Sequence, residues 1–349
     1  MYHRHTAIIC LFAATVALGA CVPEQGDDTT ETFRAGLVSQ ADLDVEYEPV
    51  ESTQSMMMWN DDEGSGVSQL AVGTGRAVIG TNAFLLELVT TMELIVAHPP
   101  TVAQQDYHVW EGPDGDDFFR VTIEQSDHPQ GDQFDFALEA GSVEDDDDEL
   151  ETLFDGYSVR PDEYEPGDRR GWGIVEHDFD AIDAFEPDKE IGGSSAIAFR
   201  HLGGVHQVEV RLDEVVSDEH EDFVPGAAYS YVNFEDGSGT LDWLAQDDFT
   251  GEGEPYETVA AHVQWDSDHT GVGAGLVTDG DLDVDYLEVG ECWASSLEKS
   301  YARITSPDGE LNSGDKASCG ETTPADLSVP DEADFDGELE VPAEHPDEA

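Results

Sequence analysis

Between Thr81 and Val96 the chain reads TNAFLLELVTTMELIV, and Leu85, Leu88, Met92 and Ile95 fall on one helical stripe with Phe84 and Val89 beside it. Thr81 or Asn82 can cap the start, and Pro99-Pro100 stops the helix. So few polar residues interrupt the run that a helix buried nearly all round is predicted. Its 16 residues, with Glu87 and Glu93 among them, are too short and too charged for a membrane span. Downstream the period falls to two: Phe119-Val121-Ile123, Phe134-Phe136-Leu138, Val208-Val210-Leu212, Val259-Ala261-Val263-Trp265 and Val272-Ala274-Leu276. These are half-buried antiparallel strands.

Turn chemistry registers two hairpins. Gly203-Gly204 suits a two-residue turn whose central positions both take positive φ, so Phe199 faces Val208 and Ile197 faces Val210 on the dry side. Asp236-Gly237, read the same way, sets Val232 against Leu241 and Ser230 against Trp243. A helix followed by about eight to ten such strands predicts a mainly β, α+β fold: a curved antiparallel sheet or half-barrel packed on one buried helix.

The ends read differently. Residues 1–20 have a short positive n-region around Arg4 and an apolar core from Ala7 to Leu18, as in a signal peptide. The stretch closes on Leu18-Gly19-Ala20-Cys21, which resembles a bacterial lipobox. That resemblance implies that Cys21 is acylated and becomes the first residue of the mature chain, with the lipid as its grip on the membrane. Val22 stands where an Asp would resemble an inner-membrane retention signal, so the bacterial outer membrane is the expected location. Residues 21–51 carry many acids and little periodicity and read as an acidic tether. Residues 320–349, acidic and rich in proline, read as a disordered tail. The β-rich globular domain is therefore expected over 52–319, with Glu144–Glu149 as an acidic loop inside it.

Composition narrows the partners. The chain of 349 residues holds 81 acids against 13 bases, a net charge of −68. Nucleic-acid binding runs on phosphate neutralisation by Lys and Arg, so nucleic acid is excluded as a main partner. The acids spread over tether, loops and tail, which reads as adaptation to salt more than as a functional patch.

Three stretches, NAFLLELVTTMELIVAHPPT, YHVWEGP (Tyr107–Pro113) and ECWASSLEKSYARI (Glu291–Ile304), are similar to an uncharacterised family of myxobacterial-type outer-membrane lipoproteins. The resemblance implies no particular activity. In architecture the expected fold also resembles the half-barrels of periplasmic lipoprotein carriers, a likeness of shape that does not carry function.

Catalytic motifs are not found: Gly192-Gly193-Ser194-Ser195-Ala196 is not a nucleophile elbow, and His220-Glu221 does not continue into H-E-x-x-H. A non-enzyme without a cofactor is expected. Two weak metal candidates stand beside that expectation. Asp279–Asp285 resembles half a calcium loop but lacks its glycine and terminal Glu. The first hairpin sets His201 opposite His206, near enough to share a transition metal, with no third ligand identifiable. Of four cysteines, Cys10 leaves with the signal and Cys21 takes lipid, so Cys292 and Cys319 should form a disulfide. Two functions lead: binding an apolar ligand or lipid between helix and sheet, or an envelope structural or surface-interaction role without a ligand; a third, a hydrolase or metalloenzyme, has no motif behind it. Whether the concave face is hollow or filled distinguishes the first two.

Overall fold

Among the described residues the two-residue alternation becomes one fifteen-stranded antiparallel sheet, every strand paired with its neighbours in sequence. A computed structural model describes residues 28–45, 47, 66–115, 117–143, 150–161, 170–185, 191–217, 227–247, 257–280, 282–335 and 339–341. The strands are β1 (Val102–Ala103), β2 (Tyr107–Asp114), β3 (Asp117–His128), β4 (Gly131–Ser142) and β5 (Glu151–Arg160). There follow β6 (Gly171–Asp178), β7 (Ile191–Leu202), β8 (Val205–Ser217), β9 (Ala227–Phe234) and β10 (Gly239–Asp247). The last five are β11 (Glu257–Trp265), β12 (Gly271–Asp279), β13 (Tyr286–Trp293), β14 (Lys299–Ser306) and β15 (Gly309–Gly314). Inside the curve lie α1 (Asp28–Gly36), α2 (Gln40–Leu43) and α3 (Gln69–Val96), while α4 (Phe179–Phe185) packs beside β7. The mainly β half-barrel is the architecture the alternation predicts, with five more strands than its upper estimate.

The first hairpin has the expected register: Phe199 pairs with Val208, Ile197 with Val210, and all four side chains are buried. Gly203 and Gly204 both take positive φ, 60° and 82°, as a two-residue turn of this type requires. The second hairpin is shifted by one residue. Leu241 faces Tyr231, not Val232, and Trp243 faces Tyr229, not Ser230. Here only Gly237 has positive φ, and the Asp236 carboxylate accepts from the Ser238 N–H and hydroxyl. Those bonds close a three-residue loop over 235–237, and the extra residue slips the pairing.

Helix α3 begins twelve residues before the predicted start and is capped by Ser68, whose hydroxyl accepts from the Ala71 N–H. A buried carboxylate reinforces that end: Glu291 accepts from the Ser68 hydroxyl (2.8 Å), the Leu70 N–H (3.0 Å) and the Lys299 ammonium (3.0 Å). Negative charge at a helix N-terminus is favourable because the free N–H groups and the dipole point at it. The helix is not buried all round. Val78, Leu85, Val89, Met92 and Val96 are buried and Ile95 is half-buried, but Ile79, Leu86 and Leu94 are exposed on the opposite side. The Phe84 and Leu88 side chains lie outside the described residues.

Two further corrections concern the ends. Within the expected tether, Phe33, Leu37, Val38, Leu43, Val45 and Tyr47 are all buried in the main core. Acidity there hides an apolar face that the sheet covers. Within the expected disordered tail, short 3-10 turns lie at Pro324–Asp326 and Glu332–Asp334, behind a first at Lys316–Cys319. Pro324 sits on Gly290, Leu327 packs on a small cluster of Val272, Cys292 and Tyr301, and Leu339 is buried. Cys292 and Cys319 are joined in a disulfide, Cα–Cα 5.3 Å, which ties this segment to β13. Cys21 and the loop 144–149 lie outside the described residues.

Candidate functional site

The concave face is where the two functional readings part, so its contents decide what the site can hold. α3 crosses it from one margin of the sheet to the other. At its N-terminal end Glu291 of β13 holds Ser68 and Leu70, and just past its C-terminal end the Trp110 indole of β2 donates to the His98 carbonyl (2.7 Å). The space between is taken by residues 28–45 and Tyr47. Phe33 of α1 lies edge-on to Phe134, 6.0 Å between centroids, and against the His108 ring at 3.9 Å. Tyr47 packs edge-on against Trp265, 4.9 Å away, and burial raises the pKa of its phenol.

Polar groups fix this segment in register. The Arg160 guanidinium, at the end of β5, donates to both Asp42 carboxylate oxygens at 2.8 and 2.9 Å and to the Leu37 carbonyl at 2.7 Å. Both side chains are only 2% exposed. The Ser39 N–H and hydroxyl add two bonds to the same carboxylate, each 2.8 Å. His206 Nε2 lies 2.8 Å from the Asp42 carbonyl, and the Ser158 hydroxyl donates to the Gly36 carbonyl. From α3, Asn82 exchanges two bonds with the Val45 backbone, 2.8 and 2.9 Å. Arg34 of α1 in turn caps the C-terminal end of α3, donating to the Val96, Ala97 and His98 carbonyls at 2.6, 3.2 and 2.9 Å. A buried, bidentate Arg–carboxylate pair specifies orientation more than it adds stability.

Among the described residues, a gap lined by Val45, Val78, Thr81, Val208, Tyr229 and Leu241 measures about 10 Å³. That is no more than one water requires, and far below the hundreds of Å³ of an ordinary ligand pocket. A larger groove of about 500 Å³ lies on the outer face over β3–β6. Glu124, Asp135, Asp155 and Glu176 line it with Tyr157, and Leu339 from the C-terminal segment sits in it. Burial holds the Asp155 carboxyl above the usual carboxylate range.

His201 and His206 come together as expected, ring centroids 5.1 Å apart and stacked. His206 is engaged by the Asp42 carbonyl, so this ring helps to fasten the segment. Among the described residues no cluster of three or more His, Cys, Asp or Glu could hold a metal ion. Asp279 and Gly280 of the calcium-like stretch form a turn with φ of 64° and 62°, and Asp281 lies outside the described residues.

Two side-chain pairs went unnoticed in the sequence. Ser195 Oγ lies 3.1 Å from His177 Nδ1, both buried, with Phe154 (4.6 Å) and Phe179 (6.2 Å) beside the imidazole. Burial pushes His177 down to about 3, so the ring is neutral at physiological pH, and its Nε2 has no partner. On the outer face His262 Nδ1 meets Asp242 Oδ1 at 2.5 Å, with its Nε2 2.9 Å from Gln264.

No protein-family model, curated protein or solved structure matches the chain. No helix among the described residues is long and apolar enough to cross a membrane.

Proposed function

We propose that the protein is an outer-membrane lipoprotein, held by acyl chains on Cys21, whose non-enzymatic ectodomain is a surface-interaction body without an internal ligand. The observation that carries this reading is the filled concavity. α3, residues 28–45 and Tyr47 occupy the place that a lipid would need, and the gap between them and β8–β10 is about 10 Å³. The segment that fills it is the one adjoining the anchor. Six residues lie between Cys21 and Asp28, so α1 starts within about 25 Å of the acylated thiol even with the chain fully extended. Anchor and core are thus coupled, and the half-barrel is held close to the bilayer.

The competing reading, an apolar-ligand carrier, requires residues 28–47 to leave. Arg160 would then be stranded without its carboxylate, at a cost of several kcal/mol that the ligand would have to offset. Thermal melting of the mature protein against fatty acids and phospholipid vesicles tests this, alongside native mass spectrometry of protein from its own host. A melting temperature indifferent to every lipid, with no small molecule retained, is the expected result. A concentration-dependent rise, or a stoichiometric lipid other than the acyl anchor, would overturn the proposal.

A further inference from the structure

The two edges of the sheet are treated differently. At one, β1 has only two residues, Val102–Ala103, and starts one residue after Pro99-Pro100. Short strands and prolines are standard protections of a sheet edge. At the other, β15 runs for six residues, GELNSG, with every one exposed and no proline or lysine among them. On the concave side of this hairpin Leu311 pairs with Ile304, and they are 74% and 43% exposed. The edges cannot satisfy each other. β13 and β2 meet opposite ends of α3, a helix of 28 residues and so about 42 Å long.

Backbone geometry says what would fit. Ser306 and Gly309 close the β14–β15 turn as a paired set, so hydrogen bonding alternates from there along the hairpin. Glu310 and Asn312 then turn their N–H and C=O groups to the open side. An edge of unpaired backbone groups beside an apolar pair accepts an extended strand with alternating apolar side chains. The charge of that strand follows from its surroundings. Asp308, Glu310 and Asp315 outnumber Arg303, which pairs with Asn312, and Lys316 around the site, on a chain of net charge −68. A second copy would bring the same acids against these, whereas a basic strand is attracted.

We propose that the open edge of β15, with Ile304 and Leu311, is a docking site for an extended, basic, alternating segment of a partner protein, which adds as a further strand. This deepens the surface-interaction reading above and rests on it. The probe is a capped, fluorescein-labelled Lys-Val-Lys-Val-Lys-Val peptide, with a Lys-Lys-Lys-Val-Val-Val control of equal charge, titrated against the mature full chain in detergent. The alternating peptide should bind at least tenfold more tightly than the control and slow amide exchange at 309–314. Leu311→Lys, at an exposed position that leaves the fold intact, should weaken it at least tenfold. Equal binding of both peptides, protection elsewhere than β15, no binding, or dimerisation of the chain through β15 would each overturn the proposal. A lipid-induced rise in melting temperature would instead remove the reading beneath it while leaving this result to stand or fall separately.

Discussion

Replacing Asp42 by Asn tests whether the segment next to the anchor is part of the core. The Asp42 Oδ2 atom accepts from Arg160 Nη2 and from the Ser39 N–H and hydroxyl, while Oδ1 accepts from Arg160 Nη1. Asparagine has one acceptor oxygen. With that oxygen in the busier position, its amide points a donor at Nη1, and a guanidinium only 2% exposed is left with no anion. Breaking a buried pair in this way costs about 3–5 kcal/mol. For a domain of this size that lowers the melting temperature by roughly 6–20 °C. Urea denaturation followed by tryptophan fluorescence measures it, and Trp265 beside Tyr47 reports on the segment itself. The loss should persist in 1 M salt, because solvent ions do not screen a buried pair. Arg160→Met should be comparably damaging alone, yet the double variant Asp42→Leu/Arg160→Met should recover most of the stability, since no charge is then buried unpaired. An Asp42→Asn protein within about 0.5 kcal/mol of the parent, inside the range of an ordinary surface substitution, would refute the reasoning.

Three other substitutions or treatments follow from the same packing. Burial lowers His177 from 6.5 to about 3, so the unfolded chain binds the extra proton first and stability falls as pH drops below 6.5. Between pH 7.5 and pH 5 this one group removes about 2 kcal/mol, and His177→Phe should flatten the pH dependence of melting by that amount; an unchanged slope would show the ring to be solvated. A Cβ on Gly36 would lie only 2.3–2.6 Å from three Phe134 ring carbons, so Gly36→Ala should destabilise by about 1–3 kcal/mol in chemical denaturation, despite the better helix propensity of alanine. Reduction of Cys292–Cys319, which span 27 residues, should cost about 3–4 kcal/mol by the loop-entropy model and free the 3-10 turns of the tail to proteolysis; equal midpoints with and without reductant would contradict this.

What the sequence disclosed depended on how local the signal was. Gly203-Gly204 specifies its turn through backbone sterics alone, and the register it sets runs through nine pairs, from Leu202–Val205 to Ser194–Asp213, before a bulge shifts it. Asp236-Gly237 looks alike, but a side-chain bond to Ser238 decides its length, and that bond is invisible in a glycine count. The early turns of α3 contain Gly73, Gly75 and Gly80, poor helix formers, and a side chain of the sheet meets the first of them: Gly73 lies against Trp243. The clamp was the least legible part. Asp42 and Arg160 are 118 residues apart, and an aspartate among so many acids gives no sign that it is buried. The apolar residues around it follow no helical or strand period long enough to outweigh the acids. The histidine pair was found from register, but its role was not, because His206 bonds to a backbone atom of that same unrecognised segment.

The central claim is that residues 28–47 are a fixed part of the half-barrel core and not a tether. Amide hydrogen exchange of the mature protein, read by mass spectrometry over peptides covering 33–45, tests it most directly. These amides should exchange as slowly as those of β4 to β8 and open with them in one cooperative unit, with or without lipid vesicles. Exchange of 33–45 at the rate of an unstructured peptide, while β4 to β8 remain protected, would contradict the account.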